Sequence, residues 1–262
     1  MLHVPSFHAV PIATHRLAVR LSGRTFLILL AVVGLVIVAA TDQVVPATSE
    51  RQASLRIWLA ARATGITAYL LLTLQVVLGL VLSHPTNQAT WKLSRRLFPW
   101  HENVWVFVLA FLGVHILTIV ADPWAGVGVG GAFLPGLSEY RSSAVALGTM
   151  GLYAMLATGL TARYTKRLPA GWWLRIHRLS ILVFVLVWLH GMLAGTDSSA
   201  LQPMYVITGG LVIGSAAYRH WVVRRARALQ PARLGPESRA DGPAARPTMP
   251  LNEPIPVEVT IR

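Results

Sequence analysis

The chain has 262 residues, of which 54% are hydrophobic and only 13% are charged, whereas soluble domains carry about 25% charged residues, so the composition predicts a multi-pass membrane protein. The net charge of +13 comes from basic residues gathered in particular loops and near the termini, which is typical of membrane topology and anionic-lipid contact rather than of nucleic-acid binding. No cysteine is present, which excludes disulfides, iron–sulfur clusters and thiolate ligands.

Apolar runs divide the chain into about six predicted helices. They cover residues 25–40, 57–83, 100–120, 143–162, 173–195 and 203–223. A helix that crosses a bilayer needs about 20 mostly apolar residues. The first run is short and resembles the apolar core of a signal peptide, but the long leader before it favours an uncleaved helix. The fold class predicted is an all-α integral membrane bundle of about six transmembrane helices, spanning residues 24–223.

The flanking segments and loops predict the orientation. Residues 1–23 form a basic leader that we expect to be flexible, and residues 224–262, rich in Pro, Arg and Ala, a disordered tail. Basic residues also occupy the second–third loop, with Arg95 and Arg96, and the fourth–fifth loop. The positive-inside rule therefore places both termini in the cytoplasm of a multi-pass cell-membrane protein. The glycine-rich stretch 126–131 falls in an outer loop that we expect to be flexible.

Four histidines stand out because ionisable residues inside a membrane span are costly and usually functional. His101 and His115 lie on the third predicted helix, about 21 Å apart along its axis, and His177 and His190 lie on the fifth, about 20 Å apart. Each helix thus carries one histidine near each face of the membrane. This arrangement predicts two cofactors stacked across the bilayer.

Three interpretations of the histidines were weighed. A histidine in a membrane helix can simply hydrogen-bond a neighbouring helix. A zinc site needs about four protein ligands, or three and a water, whereas each depth here offers two histidines. Two imidazoles do complete a haem, since the porphyrin supplies four nitrogens and leaves two axial positions. The sequence therefore favours two b-type haems, with His101, His115, His177 and His190 as the iron ligands.

The two helices differ in the phase of their histidines. At about 100° per residue, His115 returns to within about 40° of the face of His101, while His190 falls about 140° from His177. A kink, a π-bulge or different ring orientations must absorb this difference. Gly113 and Gly191, beside the second histidine of each helix, could make room for a macrocycle.

Three arginines are candidate cofactor contacts. Arg62 lies near the outer end of the second helix, where a buried arginine needs an anion such as a haem propionate; snorkelling to the surface is the alternative. Arg175 and Arg178 flank His177 and could meet propionates on the inner side, although positive-inside anchoring also explains them.

These residues resemble those of the ferric reductase-like transmembrane domain family. Its members include ferric reductases, NADPH oxidases and the haem subunit of bacterial methionine sulfoxide reductase systems. The family carries two histidines on each of two helices with thirteen and twelve residues between them, as at His101/His115 and His177/His190. The Ala-Arg-Ala tripeptide around Arg62 is similar to a second-helix element of the oxidases. The resemblance implies that His101 and His177 hold the inner haem, and His115 and His190 the outer haem.

The expected function is electron transfer across the membrane by a di-haem b-type cytochrome, as a component of an oxidoreductase rather than a complete enzyme. No flavin or nicotinamide site follows the last helix, so we expect a separate electron donor, a flavoprotein or quinol, and an acceptor on the outer face. One alternative is the haem-binding subunit of a periplasmic reductase of the methionine sulfoxide type. Another is a membrane scaffold or permease with structural histidines.

Overall fold

The structure is a computed structural model that describes residues 23–45, 48–83 and 88–233; the predicted leader, apart from Gly23, and most of the predicted tail lie outside these residues. The described residues form helices and no strand, so the all-α prediction is confirmed for this part of the chain. The helices are α1 (Gly23–Val44), α2 (Glu50–Leu82), α3 (Gln88–Ala121), α4 (Gly128–Phe133), α5 (Ser142–Arg163), α6 (Trp172–His177), α7 (Ser180–Ala194) and α8 (Gln202–Arg233), with one 3₁₀ turn at Thr165–Arg167.

Within residues 23–45, 48–83 and 88–233, five helical segments are long and apolar enough to cross a membrane, which supports a multi-pass membrane protein. They are Phe26–Val44, Glu50–Leu82, Leu93–Ala121, Ser142–Arg163 and Trp172–Ala194. The predicted sixth span lies within α8. This helix is not apolar enough over the length of a membrane span, because Tyr218, Arg219 and His220 follow its apolar part. The count of about six is therefore not confirmed.

Several helices extend beyond the apolar runs that predicted them. Arg95 and Arg96, expected in a loop, lie on α3, and α8 continues to Arg233, past the predicted boundary at residue 223. Residues 128–131 of the glycine-rich stretch, expected to be a flexible loop, belong to the short helix α4 instead. Hydropathy locates the stretch that suits lipid, whereas backbone hydrogen bonds can continue a helix into water, so the two boundaries differ.

The helices pack as two hairpin-like pairs. α2 lies against α3, and α5 lies against α6 and α7; α8 packs on α2, and α1 on α3. The main hydrophobic core contains residues of α2, α3, α7 and α8, among them Tyr69, Val108, Val183, Phe184 and Tyr205. Many large apolar side chains instead point outward, as expected for a surface that faces lipid.

The buried polar side chains inside the bundle are mostly threonines whose hydroxyls are satisfied by their own helices. Thr64 Oγ1 donates to the Ala60 carbonyl oxygen at 2.6 Å, and Thr73 Oγ1 donates to that of Tyr69 at 2.9 Å. Such back-bonding lets a small polar residue occupy the interior of a membrane bundle without an unpaired hydroxyl.

Helix α7 is held at both ends by features that position its histidine. The fifth predicted helix is interrupted at residues 178–179, where the Leu179 N–H donates to the Ile176 carbonyl at 2.9 Å in a tightened turn. Such a turn advances about 120° per residue rather than about 100°, which shifts His190 towards the face of His177. At the other end, Arg141 Nη1 and Tyr140 Oη donate to the carbonyls of Leu193 and Ala194, both at 2.7 Å.

Candidate functional site

The structure brings His101 and His177 together, as the sequence predicts. His101 lies on α3 and His177 is the last residue of α6; their ring centroids are 6.0 Å apart and their planes nearly perpendicular, at 87°. Helix α2 passes directly beside the first ring, since a Cβ atom on Gly79 would lie 3.1 Å from His101 Cε1. The ring of Trp173 lies near the ring of His177, with 6.0 Å between the two centroids.

His115 and His190 lie towards the opposite end of the bundle and line one cavity of about 490 Å³. This volume falls within the range of about 300–1,000 Å³ that is usual for ligand and cofactor sites. His115 Nδ1 is 2.7 Å from the carbonyl oxygen of Ala61, and His190 Nδ1 is 2.8 Å from that of Ala144. Because a carbonyl oxygen can only accept, each Nδ1 carries the proton, and each Nε2 keeps a lone pair available for a metal.

Missing side chains on the neighbouring helices create the space for these two rings. A Cβ atom on Gly65 would lie 2.9 Å from His115 Nδ1, and one on Gly148 would lie 2.7 Å from His190 Nδ1. Each glycine stands four residues after the alanine whose carbonyl bonds the ring. The imidazoles thus reach the helix backbone only because those positions carry no side chain.

The spacing of this arrangement, without its hydrogen bond, recurs fourteen residues further along each supporting helix. On α2, the backbones of Ala61 and Gln75 face histidines, and on α5 those of Ala144 and Thr158 do so. The two positions on each helix are fourteen residues apart. The residue four places later is Gly65, Gly79, Gly148 or Ala162. The pair α2–α3 and the pair formed by α5 with α6 and α7 therefore share a repeated design, which is complete, with both the hydrogen bond and the glycine, only for His115 and His190.

The His101/His177 pair retains unsatisfied polar atoms. Nδ1 of both rings and Oε1 of Gln75 are buried without a hydrogen-bond partner, although Gln75 Nε2 donates to the His101 carbonyl oxygen at 2.8 Å. The backbones of Gln75 and Thr158 face these rings without forming a hydrogen bond of good geometry. Buried polar atoms without partners are uncommon and often mark a functional site.

Arg62 lies at the His115/His190 cavity and already has an anionic partner. Its guanidinium forms an ion pair with Asp197, Nη1 donates to Thr196 Oγ1 at 3.0 Å, and the group stacks over the Trp58 ring at 4.5 Å from the centroid. The side chain is 19% exposed. Sequence reasoning considered a propionate or the membrane surface for this arginine and did not consider Asp197, which is distant in the chain.

The other two predicted cofactor contacts lie away from the large cavity. Arg175 stacks on the Trp172 ring at 5.8 Å, and Arg178 lines a separate basic cavity together with residues of α8. Neither arginine lines the cavity that contains His115 and His190.

Sequence reasoning missed several residues of the large cavity. Asp122 and Asp197 both line it, and Asp122 is only 4% exposed, its Oδ1 accepting the Trp124 backbone N–H at 2.9 Å. The available signal for Asp122 was its position directly after a span, within Asp-Pro-Trp, where a turn is expected. For the supporting glycines, the available signal was the spacing of Gly65 and Gly79, which equals that of His101 and His115.

No protein-family model matches the chain, and neither the curated proteins nor the solved structures contain a match. Among the residues that the structure describes, no three or more His, Asp or Glu side chains converge as a metal-binding group. The function is therefore argued from the paired histidines themselves.

Proposed function

We propose that the chain is a b-type cytochrome that binds two haems and carries electrons across the membrane. The observation that carries the proposal is the arrangement of four imidazoles as two pairs, one towards each end of a membrane bundle. Both pairs combine one histidine from α3 with one from α6 or α7. Along α3 the two levels are separated by about 21 Å, most of the hydrocarbon thickness of a bilayer.

Pairs of imidazoles fit a haem better than a bare metal ion. A structural zinc needs about four protein ligands, which neither level provides among the described residues. The His101 and His177 ring centroids are 6.0 Å apart, so the two imidazoles lie close enough for one metal-centred group to bind both.

The chain's own residues would hold and tune each haem, while the haem supplies the one-electron chemistry. The carbonyls of Ala61 and Ala144 fix the orientation of His115 and His190 and strengthen their Nε2 as donors to iron. The apolar lining of the cavity would keep water away from the iron. Arg62 would offer a positive charge at the cavity edge, shared between Asp197 and a propionate.

In the proposed orientation, the chain crosses a cell membrane about six times and both termini lie in the cytoplasm. The His101/His177 haem would then face the cytoplasm and receive electrons from a separate flavoprotein or quinol. The His115/His190 haem would pass them to an acceptor on the outer face. This scheme is the one expected for the ferric reductase-like transmembrane domain family, and membership of that family is part of the proposal.

The proposal is tested by the haem content of the purified protein. A pyridine haemochrome assay should give two haems per chain, one in the His101→Ala variant and one in the His115→Ala variant. His220→Ala is the matched control, since this α8 histidine belongs to neither pair, and it should keep both haems. A wild-type protein that binds no haem, after expression with excess haem, would refute the proposal.

A further inference from the structure

A second cavity, of about 480 Å³, is lined almost entirely by basic side chains. Its lining consists of Arg178, from the turn between α6 and α7, and Arg219, His220, Val223 and Arg224 on α8. Arg178 directly follows His177, so this cavity lies at the end of the bundle that holds the His101/His177 pair. The proposed electron transfer does not use this cluster.

No carboxylate in the described part of the chain balances the charge of this cluster. Within the described part of the chain the ion pairs are Arg56 with Asp42 and Arg62 with Asp197, so no carboxylate there lies within 4 Å of Arg178, Arg219 or Arg224. Nε of Arg219 is in addition buried and has no hydrogen-bond partner. Leaving a buried donor unpaired is costly, and more so for a charged group. An anion with several acceptor oxygens would satisfy these guanidinium groups.

Aromatic residues on the same helix indicate the depth of the cavity in the membrane. Tyr218 and Trp221 stack with ring centroids 6.2 Å apart, and both are more than half exposed. Arg225 lies over the Trp221 ring at 5.3 Å. Exposed Tyr and Trp residues are enriched at the level of the lipid headgroups, which favours the membrane–water interface as the position of these turns of α8. The arginines of the cavity therefore lie where lipid phosphates are found.

We propose that this cavity binds the phosphate of an anionic phospholipid headgroup. The guanidinium groups of Arg178, Arg219 and Arg224 would surround the phosphate oxygens, since the planar fork of arginine matches phosphate geometry. Val223 gives the lining an apolar side that suits a glycerol backbone or the start of an acyl chain. Basic pockets between membrane helices are known to select such headgroups. The bound lipid would anchor the turn after His177 to α8.

The test measures lipid binding to the full, delipidated chain in neutral detergent by native mass spectrometry, with phosphatidylglycerol and phosphatidylcholine as probes. Saturable binding of phosphatidylglycerol is expected, with little binding of phosphatidylcholine. At about fivefold per arginine, the double variant Arg219→Gln/Arg224→Gln should bind phosphatidylglycerol about 25-fold more weakly. Arg225→Gln is the matched control for the single variant Arg224→Gln, since each removes one positive charge at adjacent positions. Arg224→Gln should bind about fivefold more weakly, whereas Arg225→Gln should bind normally.

Three results would overturn the proposal. An equal loss in Arg225→Gln would show that only general surface charge attracts the lipid. Inorganic phosphate competing as strongly as phosphatidylglycerol would identify a free anion as the ligand. Unchanged lipid binding in the double variant, together with a shifted haem potential, would assign the arginines to a propionate. Arg224→Lys, which keeps the charge but not the fork, should bind with intermediate strength and shows that loss of binding is not loss of folding.

Discussion

Replacing Gly148 by alanine would directly test how the repeated design positions its histidines. The new Cβ atom would lie 2.7 Å from His190 Nδ1, 2.8 Å from Cε1 and 3.0 Å from Cγ, so the whole ring must move. Ordinary contact begins at 3.4 Å, which requires a retreat of about 0.7 Å. The 2.8 Å hydrogen bond to the Ala144 carbonyl would then stretch to about 3.5 Å, beyond the usual range.

The expected effect of Gly148→Ala is weaker haem binding at the His115/His190 level. Loss of a partner that orients a metal-bound histidine typically costs 10–100-fold in affinity, so we expect about that loss. The measurement is the rate of haem transfer to apomyoglobin, followed in the Soret band, which should show one fast and one slow phase. The same substitution also lowers the backbone entropy of the unfolded chain. Through the higher helix propensity of alanine, it should raise the free energy of unfolding by about 1 kcal/mol.

Gly159→Ala provides the control for this helix-propensity gain. Gly159 lies on the same helix α5, and its new Cβ atom would sit at an ordinary 3.6 Å from Trp105 Cε3. This variant should gain stability and release both haems at the wild-type rate. If Gly148→Ala and Gly159→Ala behaved alike, the glycine would not position the ring and the repeated design would have no functional meaning.

Three further predictions concern ligation, the ion pair and topology. His177→Ala should lose the haem of the His101/His177 level. Because the chain has no cysteine, acid–acetone should extract the remaining haem fully. Haem left in the protein pellet would contradict b-type binding. Asp197→Asn should lower the free energy of unfolding by about 1 kcal/mol, because Asp197 is 37% exposed and its ion pair with Arg62 is partly screened by water. An unchanged melting temperature would show that this ion pair does not stabilise the fold. A reporter fused after Arg233 should be cytoplasmic and one within residues 126–131 external, whereas the same side for both would refute the orientation.

Composition and spacing were enough to predict the coarse architecture. Long apolar runs with few charges can satisfy their backbone only as helices in a bilayer, so the all-α membrane fold follows from the chain itself. The histidines were found in the same way, because an ionisable residue is conspicuous in an apolar span. The spacing of His177 and His190 also predicted that a kink, a π-bulge or different ring orientations must absorb their difference in phase, and the tightened turn at residues 178–179 absorbs part of it.

Only the tertiary structure decided which residues support the histidines. From the sequence, Gly113 and Gly191 were both expected to make room for a cofactor; a Cβ atom on Gly113 would meet Leu30 instead, whereas Gly191 lines the large cavity beside Tyr205. The glycines that face the rings lie on α2 and α5, and which face of a neighbouring helix meets a ring depends on helix rotation and crossing, which local sequence does not encode.

The partner of Arg62 illustrates the same limit. An arginine near the end of a span needs an anion, and that requirement is readable from the sequence. Which anion satisfies it depends on the folded chain, since Asp197 follows α7 and reaches Arg62 only when α7 packs beside α2. Sequence therefore determined the chemical needs of the buried groups, and packing between distant helices determined how those needs are met.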